Sequence, residues 1–463
     1  MKRSSIKWIF LLLIIAAAGF LLTVSLYNMF SGGNRLFENG IVRSETAMTL
    51  LVLMLAVPVL LIILLLIMTF GKDEPKTIKA TLDGVVRANA APSEAKAEEA
   101  EEETGERFCM LSEIEKNKAK YDRTDYESNV TLEEFCDNFR NYAANRLKLY
   151  YDISDIRRFI AGMAVSHIII LQGMSGTGKT SLAHAFGSFI DNVSTIIPVQ
   201  PMWKERTDLV GYYNEFTKKF NETLLLEKMY EANYSKDIYI TVLDELNIAR
   251  VEYYFAEFLS LLELPNPDER YLDVVSDKWD TDPAQLKDGR IKLSENMWFI
   301  GTANNDDSTF AISDKVYDRA MILNLDNKSE RFVAPKTAKT RLSYEKFNSL
   351  VAEAIEEYDI SARNKKRLEA LDAYLIEHFH ITFGNRIMKQ IRQYIPVYIA
   401  CGGDELEALD DILSKKVMRK LETQNPIYLR NAAEGLLSYL DELFGTNRMA
   451  ECKAFIQRLQ RNA

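Results

Sequence analysis

GMSGTGKTS, residues 173 to 181, is the stretch on which the fold turns. From Gly173 to Thr180 it matches the pattern G-x-x-x-x-G-K-[ST], and its setting matters as much as its letters. HIIILQ (167–172) precedes it, an apolar β-branched run that reads as a buried strand, and SLAHAFGSFI follows with helical composition. A strand, a glycine-rich turn and a helix in that order form a phosphate cradle. The glycines let backbone N–H groups turn toward one anion, and the helix N-terminus adds positive potential. Gly173, Met174, Ser175, Gly176, Thr177, Gly178, Lys179, Thr180 and Ser181 are therefore the candidate nucleotide-binding residues. Lys179 is expected to reach the β- and γ-phosphates, and the Thr180 hydroxyl to ligate Mg²⁺.

Outward from the loop, STIIPV (194–199), DIYITVL (237–243), NMWFIG (296–301) and AMILNL (320–325) alternate with helical segments. Apolar runs of this kind, separated by helices, predict a parallel five-stranded sheet covered by helices on both faces, an α/β fold. The run IYITVL ends in Asp244 and Glu245, which puts two carboxylates at the C-terminal edge of the sheet, where ligands collect. Asp244 is expected to hold Mg²⁺ and Glu245 to orient and polarise the attacking water, since neutral water is a poor nucleophile. Asn304 closes another apolar strand in NMWFIGTANND, where its neutral amide suits hydrogen bonds to a γ-phosphate and to that water; Asn305 is its near rival.

These parts in this order resemble the AAA+ ATPases, most closely the branch containing the MoxR, McrB and dynein-related modules. The resemblance covers about residues 145 to 400 and rests on GMSGTGKTS, TDLVGYYNEF, LDELNIARVEYYFAEFLSLLE and IGTANNDDSTFAISDKVYDRA. It implies a nucleotide held between neighbouring subunits of a ring, usually of six, with an arginine from each neighbour directed at the γ-phosphate. The matching position is Arg319 in SDKVYDRAMIL; the alternative is a surface pair with Asp314 or Asp318. A second arginine of the family reads the nucleotide from a helical lid, and Arg386 in FGNRIMKQI is the candidate. The chain departs from the McrB-like pattern: it reads GTANNDD and carries the single Arg319. The nucleotide implied is therefore ATP, the family's majority choice, with Mg²⁺.

In the third of those stretches the acid pair is followed by what reads as one long helix, with Val251, Phe255, Phe258, Leu259 and Leu262 as its apolar stripe. YYNEFTKKF (212–220) and residues 264–296 lie where this branch carries inserts, and Asp288-Gly289 between apolar runs predicts a hairpin turn. Such tips suit gripping a polypeptide in a pore or are plain surface loops. Beyond about Pro335 only helical patterns continue, broken at FGN (383–385), CGGD (401–404) and TQNP (423–426), which predicts an all-helical C-terminal lid. Upstream, Thr131 and Glu134 form a capping-box pattern before EEFCDNFRNYAANRLKLYY.

The N-terminus has another character. Trp8 to Asn34 is uncharged, and a second uncharged run spans Ala47 to Gly71 with Pro58 inside it; each is long enough for the roughly 20 residues a bilayer core requires. Residues 8–27 and 49–70 are thus read as two transmembrane helices in contact with lipid. A cleavable signal is the alternative for the first, but its apolar part exceeds the roughly 7–15 residues of such segments. Lys2, Arg3 and Lys7 before the pair, and Lys72, Lys76 and Lys79 after it, place both ends on the cytoplasmic side of a cell's inner membrane. An Ala- and Glu-rich tether follows. The domains expected are a transmembrane hairpin (1–75), an acidic linker (76–106), a helical lead-in (107–160), a P-loop core (161–335) and a helical region (336–463).

A net charge of −10 disfavours broad nucleic-acid binding. Cys109, Cys136, Cys401 and Cys452 form no CxxC pair, so free thiols are expected, and His378 and His380 have no partners in sequence to complete a zinc set. The whole predicts a membrane-anchored ATPase acting as a homo-oligomeric ring on an unidentified protein partner. The alternatives are a scaffold whose assembly is gated by nucleotide, or a McrB-like motor serving a nuclease.

Overall fold

The computed structural model describes residues 105–462, apart from 305–308 and 327–328. The two apolar runs and the linker through residue 104 lie outside the described residues, as does Asn305. Among the described residues no helix is long and apolar enough to cross a membrane.

Five parallel strands form the central sheet: β1 (Ile168–Gln172), β2 (Thr195–Pro198), β3 (Tyr239–Asp244), β4 (Met297–Ala303) and β5 (Met321–Asn324). Their order is β5-β1-β4-β3-β2, with Ile169 beside Met321, Ile170 beside Gly301 and Thr241 beside Phe299. This is the sheet expected from the apolar runs. The order matters for function: β1, β4 and β3 are adjacent at the centre, so whatever follows each of them meets at one edge.

Successive side chains of a strand point to opposite faces, and the two faces bury different sets. Ile169, Leu171, Ile240, Val242, Trp298 and Ile300 belong to the core shared with the lead-in and the C-terminal helices. Ile168, Ile170, Tyr239, Leu243, Met297 and Phe299 face the helices of residues 224–262. Burial on both sides explains why these strands read as unbroken apolar runs instead of alternating ones.

The lead-in helices α1 (Leu132–Tyr142) and α2 (Ile153–Val165) pack on α3 (Lys179–Phe189), the helix that follows the glycine-rich loop. Phe139 contacts Phe159, Phe186 and Phe189 with ring centroids 5.2–6.4 Å apart, joining all three helices. The Thr131–Glu134 capping box is formed at the start of α1.

Residues 264–296 contain a three-stranded antiparallel sheet, and Asp288 (φ 52°) and Gly289 (φ 74°) make the tight turn expected of them. The stripe after the acid pair is not on one helix. The chain forms Val251–Tyr254 and Ala256–Leu262, broken at Phe255 (φ −110°, ψ 5°), whose ring stacks on Phe258 and meets Phe299 of β4 edge-on. Leu262 ends the second piece only half-buried. Downstream of β5, the short α4 (Asp314–Tyr317) having preceded that strand, the chain is helical, and α5 (Gly384–Ala400) and α6 (Glu405–Lys416) donate through Gln390 and Lys416 to the main chain between α4 and β5.

Candidate functional site

The glycine-rich loop leaves β1 at Gln172 and enters α3 at Lys179, so its backbone fills the gap above β1. Gly178 caps α3 with φ +92°, and Gly173 passes so close to Leu325 that a Cβ there would lie 2.4 Å from its carbonyl oxygen. The first position demands a left-handed backbone and the second demands no side chain. Within the arch, Lys179 Nζ donates to the carbonyls of Gly173 (2.9 Å) and Met174 (2.8 Å), and Thr177 Oγ1 donates to Met174 O (3.0 Å). Ser175 and Gly176 stay exposed at the crest, and Ser181 continues the first turn of α3. Tyr151, just before α2, donates its hydroxyl to Gly178 O (3.1 Å), which ties the lead-in to the loop.

Thr180 and Asp244, far apart in sequence, meet: Thr180 Oγ1 donates to Asp244 Oδ1 at 2.7 Å. A third residue, not anticipated from the sequence, completes this contact. Thr302 Oγ1, on β4, donates to the same Oδ1 at 2.8 Å and accepts from Glu245 N at 2.9 Å. Its only signal in the sequence is a lone hydroxyl inside the apolar run MWFIGTA, next to the candidate Asn304. Glu245 itself is exposed and left-handed (φ 54°, ψ 47°), a conformation that costs a non-glycine residue about 1–3 kcal/mol and gathers at functional sites. The strained turn keeps its carboxylate at the edge while Leu246 buries behind it. Gly301 makes room for that leucine, since a Cβ would sit 2.6 Å from Leu246 Cδ1.

Asn304 follows β4 between the ends of β1 and β3. Its main-chain oxygen accepts from Asn247 Nδ2 and from Thr309 Oγ1, both at 3.0 Å, so the turn presenting its side chain is pinned from two sides. Asn247, buried three residues after Asp244, is a second contributor that its sequence position does not advertise. A polar cavity of about 950 Å³ opens beside this edge, lined among others by Gln172, Asn304, Asp326, Lys415, Arg419 and Arg458.

The two candidate arginines stand elsewhere. Ser166, two residues before β1, donates its hydroxyl to Arg319 O (2.8 Å), so Arg319 lies at the N-terminal edge of the sheet. The five residues of β1 separate the two edges by about 13 Å at 3.3 Å per residue. Arg319 pairs with neither Asp314 nor Asp318. Its Nη2 binds Glu263 Oε2 at 2.6 Å, and its Nη1 donates to Lys315 O. Arg386 Nη2 takes the other oxygen of the same carboxylate at 2.7 Å, with Asp318 4.0 Å away. Expected as a reader of the nucleotide from the lid, Arg386 is thus grouped with Arg319 and not with Lys179. The start of α5 faces α4 instead of the loop.

The donor set at the loop edge fits a magnesium nucleotide: hydroxyl and carboxylate oxygens converge, and a glycine arch of backbone N–H groups lies beside them. Comparison with known proteins agrees. Residues 168–320 match the family described as AAA domain (dynein-related subfamily). Those residues are similar to AAA+ domains. Residues 335–463 match a separate family described as a domain of unknown function (DUF8727). No curated protein matches the chain. Among solved structures, a full-length MCM homolog from Methanopyrus kandleri is similar at 11% identity and a TM-score of 0.33. The similarity covers 63% of this chain and 56% of that one.

Proposed function

We propose that the chain hydrolyses ATP in a homo-oligomeric ring, each subunit supplying Arg319 and Arg386 to the site of its neighbour, and that it is tethered to a membrane to remodel a protein partner. The observation that carries hydrolysis is the 2.7 Å contact between Thr180 and Asp244 beside the loop of Lys179. Loop N–H groups and Lys179 bind the phosphates, and Thr180 and Asp244 hold Mg²⁺. The ion held there would supply charge neutralisation at the phosphates. The Glu245 carboxylate orients the attacking water and accepts its proton, and the Asn304 amide hydrogen-bonds that water and the γ-phosphate. Thr302 keeps the two acids in register by holding a carboxylate oxygen of one and the main-chain N–H of the other.

The ring reading is supported by the separation of the two edges. Arg319 and Arg386 belong to an edge that cannot serve its own loop without rearrangement, yet both are poised at the surface on one half-exposed carboxylate. An ion pair between groups this exposed is worth about 0–1 kcal/mol, so exchanging Glu263 for a neighbour's triphosphate costs little. Residues 8–27 and 49–70 form the tether, with the ATPase on the cytoplasmic face of the inner membrane, and net charge −10 favours a protein over a nucleic-acid partner. The full chain in detergent or lipid tests the core of this reading. Glu245→Gln is expected to retain ATP binding and lose turnover; turnover near the wild-type rate would remove Glu245 from the mechanism. Cell fractionation of a chain lacking residues 1–75 tests the tether, which recovery in membranes refutes.

A further inference from the structure

Lys416 ends α6 and is 4% exposed, yet among the described residues its ammonium pairs with no carboxylate. It spends its three protons on main-chain oxygens: Tyr317 O at 2.7 Å, Asp318 O at 3.4 Å and Ala320 O in a short contact. These carbonyls bracket Arg319. A second donor comes from α5, where the side-chain amide of Gln390, itself buried, gives Nε2 to Asp318 O at 3.1 Å. Among the described residues the helical region thus grips the main chain of the arginine-bearing segment through Lys416 and Gln390, and the core grips it through Ser166.

A buried ammonium without a counter-charge is expensive. Burial drives the Lys416 pKa down to about 7, against the pull of Asp318, so the site is costly for the charge it holds. Packing alone asks only for an apolar chain of similar length. What a lysine adds is a set of donors aimed at the carbonyls that close the turn after α4, and those carbonyls decide where Arg319 points.

The neighbours of Lys416 also reach the other edge. Lys415 and Arg419 line the cavity beside Asn304, and Arg419 also stacks over Tyr317, whose hydroxyl accepts from Gln172 at the end of β1. The end of α6 therefore touches the nucleotide edge on one side and the arginine segment on the other. We propose that Lys416 is a positioning residue for Arg319: it fastens residues 317–320 to the helical region, so that the state of one subunit's nucleotide edge sets the arginine offered to the next subunit. This rests on the ring reading above and adds the link between one site and its neighbour.

Mixed oligomers of the full chain test it. Lys416→Met keeps the side chain's length and removes its protons; alone it is expected to bind ATP normally and to lose turnover about 10²-fold, the scale of a 1 Å misplacement of a reacting group. Mixed with Glu245→Gln subunits, which cannot hydrolyse but carry an intact Arg319, Lys416→Met subunits should regain turnover. Arg319→Ala mixed in the same way is the control for the ring reading. If the control shows no rescue, the trans role of Arg319 fails and this inference with it. If the control is rescued and Lys416→Met is not, or if Lys416→Met alone turns over normally, Lys416 does not position the arginine. Should Lys416→Met fail to fold, Gln390→Leu replaces it with the same expected rescue, and absence of that rescue overturns the proposal in the same way.

Discussion

The two edges of the sheet are built on opposite plans. At the C-terminal edge the polar groups are already assembled: Thr180, Thr302 and the main-chain N–H of Glu245 converge through one oxygen of Asp244 or through the hydroxyl that holds it. At the N-terminal edge two guanidinium groups share one carboxylate, that of Glu263. The first edge is a ready-made set of oxygen and N–H groups. The second, on the proposed ring reading, holds the arginines offered to a neighbouring subunit, and its backbone takes hydrogen bonds from Gln390 and Lys416 of the helical region. On the proposed ring reading, each edge supplies what the other lacks.

The sharpest way to break this comparison is Arg319→Ala. Subunits carrying it should bind ATP as before, because their own loop edge is untouched, while oligomer-dependent turnover falls by about 10³-fold or more, the scale of an arginine supplied in trans. Equal turnover in both proteins would leave Arg319 as a surface residue paired to Glu263. A smaller loss is expected at the opposite edge from Thr302→Val, which keeps the shape of a side chain 3% exposed while removing its hydroxyl. Asp244 then loses one donor, and the Glu245 N–H loses its acceptor, a burial penalty of about 1–3 kcal/mol. Steady-state kinetics should show kcat down about ten- to hundredfold with KM for ATP little changed, since the loop still binds phosphate. A rise in KM at constant kcat would move Thr302 from the chemistry to nucleotide binding.

What can be read from the letters follows this same division. The loop edge is legible because each part sits at the end of a strand, and strands announce themselves by apolar runs: Lys179, Asp244, Glu245 and Asn304 are all located by what precedes them. Thr302 and Asn247 are not, because a threonine in a strand and an asparagine in a turn are ordinary until a contact is seen. The sheet order is foreseeable only as parallel, since nothing in a run such as NMWFIG says that it inserts between β1 and β3. At the arginine edge, Arg319 is placed by its position ahead of AMILNL, but sequence alone offers only its neighbours Asp314 and Asp318 as partners. The actual partner, Glu263, is more than fifty residues away and ends a helix piece whose break at Phe255 the apolar stripe conceals. Arg386 reads as a nucleotide contact from its place near a helix start; only the packing of α5 against α4 sends it to the other edge. Lys416, in a stretch of mixed charge, looks like any solvated lysine.

The smallest expected effect is the most informative about the arginine edge itself. Glu263→Ala leaves Arg319 and Arg386 side by side without their shared counter-charge. Both arginines and the glutamate are partly solvated, so stability should change by less than about 1 kcal/mol, measured as a small shift in denaturant midpoint. Turnover separates two roles that the contact alone leaves equal. If Glu263 is a resting partner that a neighbour's triphosphate displaces, its loss removes a competitor, and half-maximal turnover should come at lower protein concentration with the maximal rate preserved. If Glu263 instead stays with Arg319 in the assembled site and aims its guanidinium, the maximal rate should fall toward that of Arg319→Ala at every concentration. The first outcome keeps the two edges as independent halves. The second would make the glutamate part of the composite site and would shift the line between the halves from the surface of the subunit to the Arg319 side chain alone.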